Sequence, residues 1–268
     1  MKIHFKLIKI FNIGTLFLAT LILYSCSLFS AGHIQPIKEV TTELISTTLN
    51  STVNLDHSQW DKLLKKHVNE EGFVNYAGFK KDVALLDSYL NLLSKNEPNK
   101  TWSVQELLAY YINLYNAGTV KLIVENYPIK SIKDISRPWG KNRISVGDNT
   151  ISLDTIEHGI LRKMNEPRIH FALNCASISC PKLLNEAFMA SKINEQLERA
   201  TKEFINGDKN DISASNPKIS SLFDWYKKDF KVNEKTDVIG FINRYSDVKI
   251  SPEAKISFMK YDWSLNGE

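Results

Sequence analysis

The residues best suited to chemistry sit in one stretch, 168–183, which reads RIHFALNCASISCPKL. It carries His170, Asn174, Cys175 and Cys180, and so two of the chain's three cysteines. A cysteine becomes a strong nucleophile when a nearby base or cation favours its thiolate. Cys175 stands where an apolar run ends and the chain turns, a suitable place for attack. Ile169, Phe171 and Leu173 alternate with Arg168, His170 and Asn174, which predicts a half-buried strand. On such a strand His170 faces away from Cys175. The better base is then His158, further upstream, with Glu157 to orient it. All six histidines precede Cys175, which excludes the Cys-then-His order of papain-like enzymes. A His-then-Cys order remains acceptable, because such sites are defined by geometry. Asn174, Asn116 and the backbone N–H groups of Ala176 and Ser177 are the candidate oxyanion donors.

The same residues support other readings. Cys175 and Cys180 could close a small disulfide loop, as suits an exported chain, provided the turn brings their Cα atoms within ~7 Å. Cys175, Cys180, His158 and His170 are ligand types that zinc accepts, but their spacing follows no zinc pattern. Free cysteine is also often plain buried packing. His170 has a bland role open to it as a satisfied strand-end histidine. No cofactor is called for by any motif.

The elements that must position these groups read as helices with small strands. Apolar spacing predicts helices over 60–68 and 79–93, with their lysines on the solvated faces. Ser103 and Glu106 form a capping box for a helix that ends at Tyr127-Pro128. Its apolar residues surround the axis, so this helix belongs in the centre of the fold. Asn113 and Asn116 lie on it, three apart, and need partners. Pinning nearby loop backbone is the simpler role for them, and lining a cleft is the sharper one. Residues 144–151 alternate around Gly-Asp-Asn as a hairpin, and Ser152 caps a helix over 153–163 that bears Glu157, His158 and Arg162. Helices follow at 191–206, 222–230 and 236–245, with a last pair of strands at 248–251 and 257–263. The Trp225-Tyr226 and Tyr261–Trp263 groups read as core and lid packing. The fold class is α+β: a helix-rich single domain with a long buried central helix and a small, mostly antiparallel sheet.

The N-terminus reads as an export signal. Lys2, Lys6 and Lys9 precede an apolar run over 10–23 that ends in Leu-Tyr-Ser-Cys. Residues 1–25 read as a signal peptide, and the end of the run resembles the bacterial lipobox, which implies Cys26 as the lipid-attachment residue; an uncleaved membrane anchor is the alternative, and either makes the membrane the partner. Residues 26–56 are rich in Ser and Thr and read as a flexible tether, leaving 57–268 as the globular domain. The formal charge of +4 falls to +1 once the three signal lysines are removed. A nearly neutral chain has no electrostatic footprint for nucleic acid, and that class is excluded.

Six motifs together carry a resemblance. They are Ile112-Asn113-Leu114-Tyr115-Asn116-Ala117, Glu157-His158 with Arg162, the run from His170 to Ser177, Cys180-Pro181, Asp224-Trp225-Tyr226 with Phe230, and Tyr261-Asp262-Trp263-Ser264-Leu265-Asn266. Their order and spacing over about 58–266 resemble the domain-of-unknown-function family numbered 547. That resemblance implies no agreed reaction. A papain-like or transglutaminase-like architecture is an analogy of fold only. The function expected is a thiol-dependent acyl hydrolase or transferase using Cys175 with His158. The alternative is a non-catalytic surface binding or scaffold module with a Cys175–Cys180 disulfide.

Overall fold

The structure is a computed structural model, and it describes residues 37–47, 53 and 55–268. Residues 1–25, expected as a signal peptide, and Cys26, expected as the lipid-attachment residue, lie outside the described residues. Among the described residues no helix is long and apolar enough to cross a membrane.

Helix Ser58–His67 (α1) packs on helices Tyr76–Lys81 (α2) and Val83–Lys95 (α3), and these two pack on the long helix Val104–Asn126 (α4). Helix α1 buries Trp60, Leu63 and Leu64 and turns its lysines to solvent. The single helix expected over 79–93 is broken at Asp82, whose φ of −98° and ψ of 17° leave the helical range. Its carboxylate accepts from Lys66 at 2.6 Å and from His67 at 2.7 Å, which holds the break against α1. Helix α4 begins as expected. Ser103 Oγ accepts from the Glu106 N–H at 3.2 Å, and the Glu106 carboxylate accepts from the Ser103 N–H at 2.7 Å. From Glu106 to Val124 only Lys121 escapes burial. That is the signature of a helix enclosed on all sides.

Strands Ile144–Val146 (β1) and Asn149–Ile151 (β2) form the expected antiparallel hairpin, with Ile144 opposite Ile151. After them come Ile193–Ile205 (α5), Lys218–Ile219 (β3), Leu222–Trp225 (α6), Lys231–Val232 (β4), Lys235–Thr236 (β5), Val238–Tyr245 (α7) and Ser257–Phe258 (β6). Strands β4 and β5 pair antiparallel, whereas β3 and β6 pair parallel. The protein is therefore a helix-rich α+β fold whose sheets are two-stranded and mostly antiparallel.

Several sequence expectations are corrected. Residues 168–174 are not a strand: Pro167–Phe171 is a 3-10 helix. Pro167 fixes the first turn. The Glu166 carboxylate then accepts from the Arg168 N–H at 3.2 Å and grips its guanidinium at 2.7 and 2.8 Å. Arg168, Ile169, His170 and Phe171 are all buried, so the alternation in sequence marks no two-sided sheet. The expected strand pair at 248–251 and 257–263 reduces to β6, which pairs with β3. The helix expected over 222–230 is a single turn that ends at Trp225. The expected tether is in part packed structure. Val40 donates to the Met164 carbonyl at 2.7 Å, Leu44 is buried, and the Ile45 carbonyl accepts from Gln105 at 2.8 Å.

Candidate functional site

The loop bearing Cys175 is fixed by two asparagines. Asn116, from the middle of α4, donates to the Ala172 carbonyl at 2.9 Å and accepts from the Asn174 N–H at 2.9 Å. Asn174 in turn donates to the Pro181 carbonyl at 2.8 Å and accepts from the Ala176 N–H at 2.9 Å. Both amides are buried, and both ends of each are occupied. Asn113 does the same for another loop, bonding the carbonyl of Phe188 at 2.8 Å and its N–H at 3.0 Å. The simpler reading of Asn113 and Asn116 is the one seen. Asn174, Asn116 and the Ala176 N–H, expected as oxyanion donors, are all engaged in holding the loop. Ala176 adopts φ of +58°, a left-handed conformation costly for a residue with a Cβ. Such strain persists only where surrounding bonds impose it, and it clusters at functional sites.

Cys175 is half-buried and Cys180 buried, and both are free thiols. The disulfide weighed from sequence is thus not formed. Instead the Cys180 sulfur accepts the Cys175 N–H at 2.9 Å and lies 3.6 Å from the Leu173 carbonyl. The Cys175 sulfur faces two hydroxyls, Ser177 Oγ at 3.1 Å and Tyr261 Oη at 3.2 Å. These two hydroxyls are themselves 3.1 Å apart. Hydrogen bonding from the Cys180 thiol lowers the Cys175 pKa most; burial opposes this, and the Ser177 and Tyr261 hydroxyls add to it. The nearby Glu157 charge pushes the other way. Burial raises Cys180 well above an ordinary thiol, and its bond to Cys175 adds to the rise. Of the pair, Cys175 is the thiol that ionises.

Glu157 and His158 come from an irregular segment. The helix expected over 153–163 is wound as a π-helix over Thr155–Ile160 and tightens to a 3-10 turn over Leu161–Met164. Ser152 supplies the expected cap, accepting from the Thr155 N–H at 3.0 Å. π-Helical turns recur at functional sites, and this one turns Glu157 inward while leaving His158 exposed. Glu157 does not orient His158 as expected, since their closest approach is 3.9 Å. Arg162 does so, with its Nη1 3.2 Å from His158 Nδ1. A guanidinium only donates, so Nδ1 accepts and Nε2 carries the proton. Glu157 instead accepts from the Tyr226 hydroxyl, whose pKa is raised by burial first and then by the Glu157 charge and bond.

His170 serves a different role. Its Nε2 lies 2.8 Å from the Asp229 carboxylate, and its ring stacks on Tyr226 with centroids 4.0 Å apart. Asp229 also holds Arg162 through two bonds, at 2.6 and 2.9 Å. Burial alone would raise the Asp229 pKa, but His170 and Arg162 outweigh it and hold the carboxyl far below the usual range. His170, Asp229 and Arg162 thus brace the residues around His158.

Cys175, Glu157, His158 and His170 meet on the walls of one cleft of about 290 Å³, together with Tyr226 and Tyr261. No hydrogen bond joins His158 to Cys175 among the described residues. A larger cavity of about 360 Å³ lies behind the same loop, lined by Cys180 and Asn174 but not by Cys175. The zinc reading finds no support in the geometry: among the described residues no group of three or more His, Cys, Asp or Glu side chains is placed to hold a metal ion. Sequence reasoning missed Ser177 Oγ, Tyr261 and Tyr226 as neighbours of the reactive groups, and Trp139 as a wall of the cleft. Tyr226 and Tyr261 lay in motifs already singled out, whereas Trp139 carried no signal.

Residues 99–205 match the family model of DUF547, described as a protein of unknown function. This is the family that the motifs resemble. The matched span holds α4, the π-helical segment, and the loop with Cys175 and Cys180. The motifs at Asp224-Trp225-Tyr226 and 261–266 fall beyond it. No curated protein and no solved structure matches the chain, so the papain and transglutaminase analogy gains nothing from those comparisons.

Proposed function

We propose that this chain is an exported, lipid-anchored envelope protein that hydrolyses or transfers an acyl group through Cys175. The observation that supports it is the Cys175 sulfur on the wall of a cleft, with hydroxyl donors at 3.1 and 3.2 Å that favour its thiolate. The thiolate attacks the acyl carbon of an amide or thioester. His158, which shares the cleft, takes up the Cys175 proton as the thiolate forms, and as an imidazolium delivers a proton to the leaving group as that bond breaks. Water or a second nucleophile then attacks the thioester. His158 takes up its proton, and the Cys175 sulfur is released. Tyr261 and Ser177, no longer bonded to a thiolate in the acylated state, are the donors free to meet the oxyanion.

Incubation with an activated acyl ester should add one acyl mass, on the peptide that contains Cys175, and Cys175→Ser should abolish it. Complete resistance of Cys175 to iodoacetamide in the native chain would overturn the reading. It would leave the alternative, a non-catalytic surface module. Support for the anchor is the lysine-flanked apolar run that ends at Cys26. Cys26→Ala should shift the protein from the membrane to the soluble fraction, and unchanged membrane retention would refute the lipid.

A further inference from the structure

The wall of the Cys175 cleft is a continuous aromatic surface. Tyr261 and Trp263 stand 4.5 Å apart between centroids, Tyr261 and Trp225 4.8 Å, and Trp263 and Trp139 5.6 Å. Trp225 stacks on Trp263 at 5.9 Å and is about half exposed, at 49%. Tyr226 closes the side next to His158. An exposed cluster of this kind has rings left over for a ligand. The charges around it narrow the choice. Glu157 and Asp154 line the cleft, and no lysine or arginine does. Glu157 is buried, and among the described residues its only ion pair is the long 3.9 Å approach to His158. The Tyr226 hydroxyl and the charge of Arg162 reach Glu157, but Arg162 is bonded to Asp229, so a buried carboxylate here has room for a ligand cation. Ring faces attract cations in the same way. Two rings of the set already do so, with Lys133 5.2 Å from the Trp263 centroid and Arg162 5.3 Å from that of Tyr226. Neither cation lines the cleft, and Arg162 is neutralised by Asp229.

We propose that the cleft takes a substrate carrying an alkylammonium group beside its acyl bond, with the ammonium among Trp225, Trp263 and Tyr226 and facing Glu157. A methylated ammonium suits the ring faces, because its methyl groups pack on them while its charge faces Glu157. This assignment rests on the reading of Cys175 as the acyl-carrying thiol. A stacked sugar ring is the rival use of such a wall, but it leaves Glu157 without its cation.

The test uses Cys175→Ala in the full chain, so that binding is read apart from chemistry. Calorimetry compares choline with its neutral isostere 3,3-dimethylbutan-1-ol and with N-acetylglucosamine. Choline should bind at least tenfold tighter than the isostere. Trp225→Ala, which removes a half-exposed ring, and Glu157→Gln should each weaken choline about tenfold and leave the isostere little changed. Equal affinity for choline and the isostere, binding of the sugar alone, or no binding by any probe would overturn the proposal. Choline binding without acylation of the parent chain would sink only the catalytic reading. Acylation of the parent chain with no preference for choline would sink only this one.

Discussion

Cys175 owes its acidity to donors and not to a cation. Its sulfur is met by the Cys180 thiol and the Ser177 and Tyr261 hydroxyls, while burial and the Glu157 charge work against ionisation. Each contribution has a sign that a substitution can read. Tyr261→Phe and Ser177→Ala each remove a donor to the thiolate, so the midpoint of Cys175 alkylation against pH should move up. Glu157→Gln removes a repelling charge, so the midpoint should move down. Iodoacetamide rates measured across pH, with peptide mapping to separate Cys175 from Cys180, check all three. The opposed directions guard against a general loosening of the loop, which would move every variant the same way. Cys180 should alkylate slowly throughout, because burial holds its thiol protonated and shields it.

Helix α4 acts as a beam to which the reactive loop is tied at one residue. Asn116 bonds the Ala172 carbonyl and the Asn174 N–H, so both ends of its amide hold the turn before Cys175. Asn116→Leu leaves those backbone groups buried without partners, at a cost of ~1–3 kcal/mol for each. The variant should unfold at lower denaturant, and Cys175 should lose its acid-shifted alkylation. Ser103→Ala, at the far end of the same helix, removes a cap worth ~1 kcal/mol and should leave Cys175 alkylation unchanged. Comparison of the two by urea unfolding and alkylation separates stability from positioning. The helix itself was legible in the sequence, because a capping box, all-round apolarity and Tyr127-Pro128 are local signals. The hairpin at Ile144–Ile151 was legible for the same reason. The reactive loop was legible only by residue type. Its 3-10 turn depends on the Glu166 grip on Arg168, and its placement depends on Asn116, 58 residues away. The π-helical winding under Glu157 and His158 has no local sequence signature that periodicity can catch. For that reason the structure has His158 beside the Cys175 cleft with Arg162, and not Glu157, at its Nδ1.

At the scale of the whole molecule, His57 and Asp229 each contribute to the response to acid, in separate windows. His57 is buried at the start of α1, with Nδ1 2.7 Å from the Tyr89 hydroxyl. Burial pushes its pKa down from 6.5 to about 4, against a small opposing pull from Asp56. The unfolded chain therefore binds a proton at His57 before the folded chain does. The stability that this residue protects is fully present above about pH 6.5 and is lost as pH falls from there to about 4. Asp229 loses stability in the same direction, although there the fold favours the charged form. Its carboxyl is held far below its ordinary 3.8 by His170 and Arg162. Its contribution is present above that ordinary value and is lost as pH falls below it. Melting temperature against pH should thus decline in two stages. His57→Gln, which keeps a polar partner for Tyr89 but cannot titrate, should flatten the stage between about pH 6.5 and 4 and leave the lower one. Asp229→Asn should flatten the lower stage and leave the upper. A parental curve without the upper decline, or one that His57→Gln does not alter, would show that the helical layer around α1 does not depend on a neutral His57.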